Sequence, residues 1–246
     1  MKAIVLAAGY ATRLYPLTKD KPKALLDIGG RKMLDYLMDN IASAGCVDEV
    51  VIITNNRFAG QFEDWAAERL EYGMRITVID DMTTDNDNRL GAIGDIQYAI
   101  ERAEIDDDVL IAASDNFFTF GLDGVMSEFR RHGRDTIMAK HVGNTEDCTR
   151  FAIAEVDAEG RVVDLEEKPR NPKSDLAVFA LYVYRRDTLP MIKQYLDEGN
   201  NPDSPGHFPE WLYRRREVRA HVFEGECVDI GTHEALAEIR RAYERH

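Results

Sequence analysis

Arg13 and Lys23 are the side chains that suggest chemistry first. They follow an apolar run, residues 3–8, that ends in Gly9, and they stand in a stretch stiffened by Pro16 and Pro22. A guanidinium fork, a lysine point charge and backbone N–H groups at a strand's carboxyl end suit the phosphates of a nucleotide. Gly9 is free to adopt positive φ and lets backbone approach a ligand closely, with Ala7, Ala8 and Ala11 leaving room above the strand end. A glycine after an amino-terminal strand is also common where nothing binds, so the combination carries the reading rather than Gly9 alone. Asp115 ends a later apolar run. Such a residue often only caps a turn, but beside bound phosphates its carboxylate would be repelled unless a cation lay between them.

These groups must be positioned by a scaffold, and the hydrophobic pattern describes one. Residues 48–54, 74–79 and 108–113 read as further buried strands. Helical spacing marks Leu34, Leu37, Met38 and Ile41, then Phe58, Phe62 and Trp65, then Ile93, Ile96 and Ala99. Strands too continuously apolar to have a wet face, alternating with helices, predict a mostly parallel sheet covered on both sides. From Asp135 the pattern changes to successive strand-like runs, residues 136–141, 151–156, 162–165 and 176–184, which predicts an antiparallel portion forming the second wall of a cleft. Helices follow around 188–196 and 209–215, then a strand at 218–223 and a terminal helix from Glu234. We read residues 1–246 as a single domain, with 1–134 as a nucleotide-binding half and 135–246 as an acceptor-binding half.

Composition bounds the function. With 31 Lys and Arg against 45 Asp and Glu the formal charge is −14, which argues against nucleic acid or an anionic membrane as partner. Three cysteines, Cys46, Cys148 and Cys227, have no CxxC spacing, so no disulfide framework or zinc site is expected and a cytoplasmic location fits. No apolar run approaches the ~20 residues of a membrane span, and residues 1–8 are too short for a signal peptide.

The opening stretch is neither a dinucleotide fingerprint nor a P-loop. Its order G-x-x-T-R-L-x-P-L-T-x-x-x-P-K, through Gly9, Thr12, Arg13, Leu14, Pro16, Leu17, Thr18, Pro22 and Lys23, closely resembles the signature of the sugar-1-phosphate nucleotidylyltransferases. The resemblance implies a three-layer α/β/α Rossmann-like nucleotidyltransferase fold. It also implies transfer of a nucleotidyl group from a nucleoside triphosphate, UTP or dTTP being favoured, to a sugar 1-phosphate with release of pyrophosphate. By that resemblance Arg13 and Lys23 are the catalytic cations, and Leu6, Ala8, Gly9, Ala11, Thr12 and Gly91 bind the nucleotide. Ala152, Glu167, Lys168 and Val178 bind the acceptor, the Glu through sugar hydroxyls and the Lys through phosphate. Asp115, with Asp229 before Gly231-Thr232, holds Mg2+. The implied partners are thus a nucleoside triphosphate and a small phosphomonoester, and assembly into a homo-oligomer is compatible with the pattern.

The chain departs from that pattern in places. The segment 80–88 lacks the usual Gln and Pro-x-Gly-Leu elements, leaving Leu90-Gly91 as the nearest match and the base unassigned. Phe151-Ala152-Ile153 and Ala180 stand where the family often has glycine, so we expect ordinary glucose 1-phosphate to fit poorly. Cys227 replaces a common aromatic. Two rival readings remain. One is a CTP-dependent enzyme for a small phospho-alcohol such as phosphocholine, for which Phe117, Phe118, Phe179 and Tyr182 could contribute a cage for a quaternary ammonium or equally be core. The other is a nucleotide-binding regulatory domain without turnover.

Overall fold

The computed structural model describes residues 1–143 and 148–243. The first element is β1 (Lys2–Leu6), and a loop with two short 3-10 turns leads to the small hairpin β2 (Asp27–Ile28) and β3 (Arg31–Lys32). Then come α1 (Met33–Ser43), β4 (Glu49–Thr54), α2 (Ala59–Ala67), β5 (Arg75–Asp80), α3 (Ala92–Arg102) and β6 (Val109–Ala113). These form the expected alternation. β4 and β6 flank β1 in parallel, with β5 beyond β4. Successive side chains of a strand point to opposite faces. Ala3 and Val5 accordingly join one core with α1 and α2, while Ile4 joins a second core with α3. Burial on both faces explains the unbroken apolar runs, and the result is a three-layer α/β/α fold of Rossmann-like character with a mostly parallel mixed sheet.

The second half continues with β7 (Asn116–Phe118), α4 (Asp123–His132), β8 (Asp135–His141), β9 (Ala152–Val156), β10 (Val162–Glu167), β11 (Leu176–Tyr184), α5 (Leu189–Asp197), α6 (His207–Leu212), β12 (Val218–Val222), β13 (Cys227–Asp229) and α7 (His233–Tyr243). Among the described residues nine strands form one sheet. β11 is its hinge point. Its residues Leu181–Tyr184 run antiparallel to β6, whereas Leu176–Val178 pair with β9, and on its other edge the pairing with β8 shifts register between Phe179 and Tyr182. The fork between β6 and β9 opens a gap in the sheet beside Ala180.

One strand has an orientation that the sequence reading left open, and one strand end departs from that reading. β12 pairs with β8 in parallel, outside the antiparallel series. β10 runs on through Glu166 and Glu167, paired to Ile153 and Ala152, two residues beyond the apolar pattern that suggested its end.

Candidate active site

The carboxyl ends of β1, β4 and β6 lie level, Leu6 being in register with Ile53 and Ala113. Ala7 N–H donates to Ile53 O at 2.8 Å and Ser114 N–H to Leu6 O at 3.0 Å. This places the Gly9 turn and Asp115 on the same rim. The buried Asn55 amide donates to Ala8 O at 2.8 Å, tying the turn down from the β4 side. The turn's left-handed residue is Ala11 (φ 46); Gly9, though free to adopt positive φ, does not use that freedom here. Gly9 is exposed, and a Cβ there would meet nothing within 4 Å. Thr18 donates its hydroxyl to Ala11 O at 2.8 Å, which holds the strained residue.

Above this rim lies an open cleft of about 850 Å³. Its lining includes Leu6, Ala8, Gly9, Ala11, Thr12, Arg13, Lys23 and Gly91 on one side, Asp115 on the floor, and Ala152, Glu167, Lys168 and Val178 on the other. The structure therefore gathers the sequence-predicted residues whose side chains it describes around one cavity. Lys23, only 12% exposed, reaches Asp115 Oδ2 at 3.0 Å, and the carboxylate is 40% exposed. β13 pairs with β7 so that Asp229 lies opposite Asn116, and Ile230 N–H donates to Asp115 O at 3.1 Å. The backbone thus carries position 229 beside Asp115, while the Asp229 side chain lies outside the described residues. Among the described residues no group of three His, Cys, Asp or Glu side chains is placed to hold a metal ion.

On the far wall Glu167 is buried to 7% exposure, its backbone N–H donating to Glu210 Oε2 at 3.3 Å. Lys168 turns away from the strand in the left-handed region (φ 48), its N–H bonded to Phe151 O at 3.1 Å. Its ammonium lies 3.5 Å from Glu167 Oε1 and 3.1 Å from Ser204 Oγ. Beneath them burial, with the Glu167 charge adding to it, holds the Tyr182 hydroxyl well above its usual pKa, so it stays neutral.

Several lining residues were not found from the sequence. Asn86, Arg89 and the segment Asp203–Gly206 face the cavity; the run Asn-Asn-Pro-Asp-Ser-Pro-Gly reads as a loop, but nothing local says that it borders a cleft. Asp95 was also missed. It is 7% exposed, and burial, then the charge and hydrogen bond of neighbouring Asp81, push its carboxyl up to about 8. Asp95 is therefore a neutral acid at pH 7, with Oδ1 unpartnered among the described residues. The proposed aromatic cage does not assemble. Phe117 packs between Tyr36 and Tyr243 at 5.0 and 4.9 Å, and it and Phe118 are core residues outside the lining, which leaves Phe179 and Tyr182.

Comparison with known proteins agrees with this geometry. The family model described as nucleotidyl transferase matches residues 2–246. A glucose-1-phosphate thymidylyltransferase of Streptomyces antibioticus is 36% identical over 247 residues, covering 98% of this chain and 65% of the relative. A glucose-1-phosphate adenylyltransferase of Fusobacterium nucleatum is 28% identical, covering 94% of this chain and 63% of that protein. The chain thus spans a little under two thirds of the length of these curated relatives. Among solved structures, one assigned as a glucose-1-phosphate thymidylyltransferase from Bacillus anthracis superposes with a TM-score of 0.83 at 24% identity, covering 100% of this chain and 96% of that one. A UDP-glucose pyrophosphorylase complexed with UDP-glucose gives 0.84 at 20% identity, with 99% and 98% coverage. Likeness at that identity speaks for the fold. Together with the full-length family match, it assigns this chain to the nucleotidyl transferase family.

Proposed function

We propose that this chain is a sugar-1-phosphate nucleotidylyltransferase, with UTP or dTTP as the favoured donor. The observation that carries the reading is one cleft with two cationic walls: Arg13 and Lys23 at the β1 turn, Lys168 beside buried Glu167 opposite, and Asp115 between them. A phosphomonoester oxygen attacks the α-phosphorus of the triphosphate, a P–O bond forms, and the bond to the β-phosphate breaks with pyrophosphate leaving. No side-chain nucleophile is required, because the incoming phosphate is already ionised. The protein aligns two polyanions that repel each other and stabilises charge that moves onto the leaving group.

In this reading the cradle of Leu6, Ala8, Gly9, Ala11 and Thr12 with Gly91 holds the nucleotide. Arg13 and Lys23 neutralise the triphosphate and departing pyrophosphate. Ala152 and Val178 shape the acceptor subsite, Glu167 accepts hydroxyl hydrogen bonds and Lys168 binds the acceptor phosphate. Asp115 fits as one carboxylate for Mg2+, since magnesium commonly uses one or two carboxylates and completes its shell with water and phosphate; Asp229, brought alongside by β13, is the second. Bound there, the cation would offset phosphate charge and bring the two substrates together. The cytidylyltransferase alternative loses support with the aromatic cage. Pyrophosphate release across a panel of four or more triphosphates and several phosphomonoesters tests the proposal; release requiring both substrates supports it, and none with any pair rejects it in favour of a non-catalytic nucleotide-binding domain.

A further inference from the structure

The loop before α6 touches both walls of the cleft. On the nucleotide side, Arg89 makes a bidentate ion pair with Asp203, Nε to Oδ1 at 3.2 Å and Nη2 to Oδ2 at 3.0 Å, and its Nη1 donates to Asn86 O at 2.8 Å. The first free N–H groups of α3 are closed by the same loop: Ala92 donates to Asp203 O at 3.3 Å and Ile93 to Pro202 O at 2.9 Å. Gly91 (φ 80) permits this approach, since a Cβ there would lie 2.7 Å from Pro202 O. That helix terminus is consequently filled by protein carbonyls rather than left for phosphate. On the acceptor side Ser204 Oγ accepts from Lys168 Nζ at 3.1 Å, and Gly206 packs directly against the Glu167 carboxylate. The loop is also braced internally, by Asp203 N–H to Asn201 Oδ1 at 2.9 Å and His207 N–H to Ser204 O at 3.2 Å.

We infer that Asp203 and Ser204 are positioning residues through which the nucleotide and acceptor subsites reinforce each other's occupancy, an inference that rests on the function proposed above. A ligand that settles the segment 86–91 sets Arg89, Arg89 sets Asp203, and the braced loop delivers Ser204 and Gly206 to Lys168 and Glu167. By linkage the effect is reciprocal, each substrate tightening the other by one common factor.

The test takes the most active pair from the substrate panel and varies both concentrations, so that the coupling factor is read from how each substrate lowers the other's apparent KM. Binary affinity for the same triphosphate with magnesium is measured separately by titration calorimetry. The parent should show coupling of at least about five-fold. Asp203→Asn and Arg89→Lys should bring it below two-fold with binary triphosphate affinity within three-fold, and Asp203→Glu should restore part of it; melting temperature verifies folding. Coupling that survives both substitutions, or a loss confined to kcat or to binary affinity, overturns the inference. Turnover without coupling in the parent also overturns it and leaves the reaction standing, whereas no turnover with any pair overturns both.

Discussion

Gly206→Ala tests whether the buried carboxylate of Glu167 is placed for an acceptor. The backbone at Gly206 is not in the left-handed region, so alanine is conformationally acceptable there and the effect is steric. A Cβ would overlap Glu167 Oε2 outright and lie 3.0 Å from its Cδ and 3.1 Å from Ala152 Cβ. Ala152 is fixed in β9, so the carboxylate is what moves, by on the order of 1 Å. Hydrogen bonds to a charged group contribute about 1.5–3 kcal/mol each, so losing one alignment predicts a ~10- to 150-fold fall in kcat/KM for the phosphomonoester. The gain from restricting the unfolded chain, roughly 0.4–1 kcal/mol, offsets part of the crowding, so Tm should shift by only a few degrees. The assay is kcat/KM for the acceptor at saturating triphosphate, with triphosphate affinity as the control. In a Glu167→Ala background the same substitution should cost less than about three-fold, because the partner it displaces is gone. Activity within three-fold of the parent in the single variant, or a full additive loss in the double variant, would refute this use of Glu167.

Other expectations follow from the same geometry. Asp115→Asn should lower kcat by at least ~100-fold with the fold intact, since an amide cannot offset a cation; near-normal turnover would remove Asp115 from the site. Lys168→Ala should mainly raise the KM for the acceptor while Arg13→Ala depresses kcat with every acceptor, and equal acceptor-binding defects in both would contradict the division of the cleft. Asp95 keeps its proton in the folded state up to about pH 8, whereas the unfolded chain releases it near the ordinary carboxyl range. The folded protein therefore binds more protons between these limits and loses stability as pH rises through them. Asp95→Asn removes that dependence, so its gain in Tm over the parent should widen from pH 5 to pH 8, and a constant or shrinking difference would be the wrong sign.

What could be read from the sequence followed from local physics. The runs at Ala3, Ile4 and Val5, at Val50, Val51 and Ile52, and at Leu110 and Ile111 announce burial on both faces, and both cores use them alternately. Gly91 before Ile93 and Ile96 was legible as a helix start. Non-local pairing was not legible. The fork of β11 at Ala180 depends on β6 and β9 competing for one edge, and register of that kind is set by partners far away in the chain. Glu166 and Glu167 look like a charged strand end, yet pairing to Ile153 and Ala152 extends β10 through them and sets Glu167 into the wall. Asp203 and Ser204 carry a loop composition only; their significance comes from Arg89 and Lys168, distant in sequence.

The most direct measurement follows one oxygen. The most active phosphomonoester is prepared with 18O in its phosphate, turned over with its triphosphate and magnesium, and the products are read by 31P NMR and mass spectrometry. Attack by that phosphate on the α-phosphorus predicts label in the bridging and acceptor-phosphate oxygens of the product that joins acceptor and nucleotide through a diphosphate, and none in the released pyrophosphate. Label in pyrophosphate or inorganic phosphate, or triphosphate breakdown that proceeds equally without the phosphomonoester, would contradict the account.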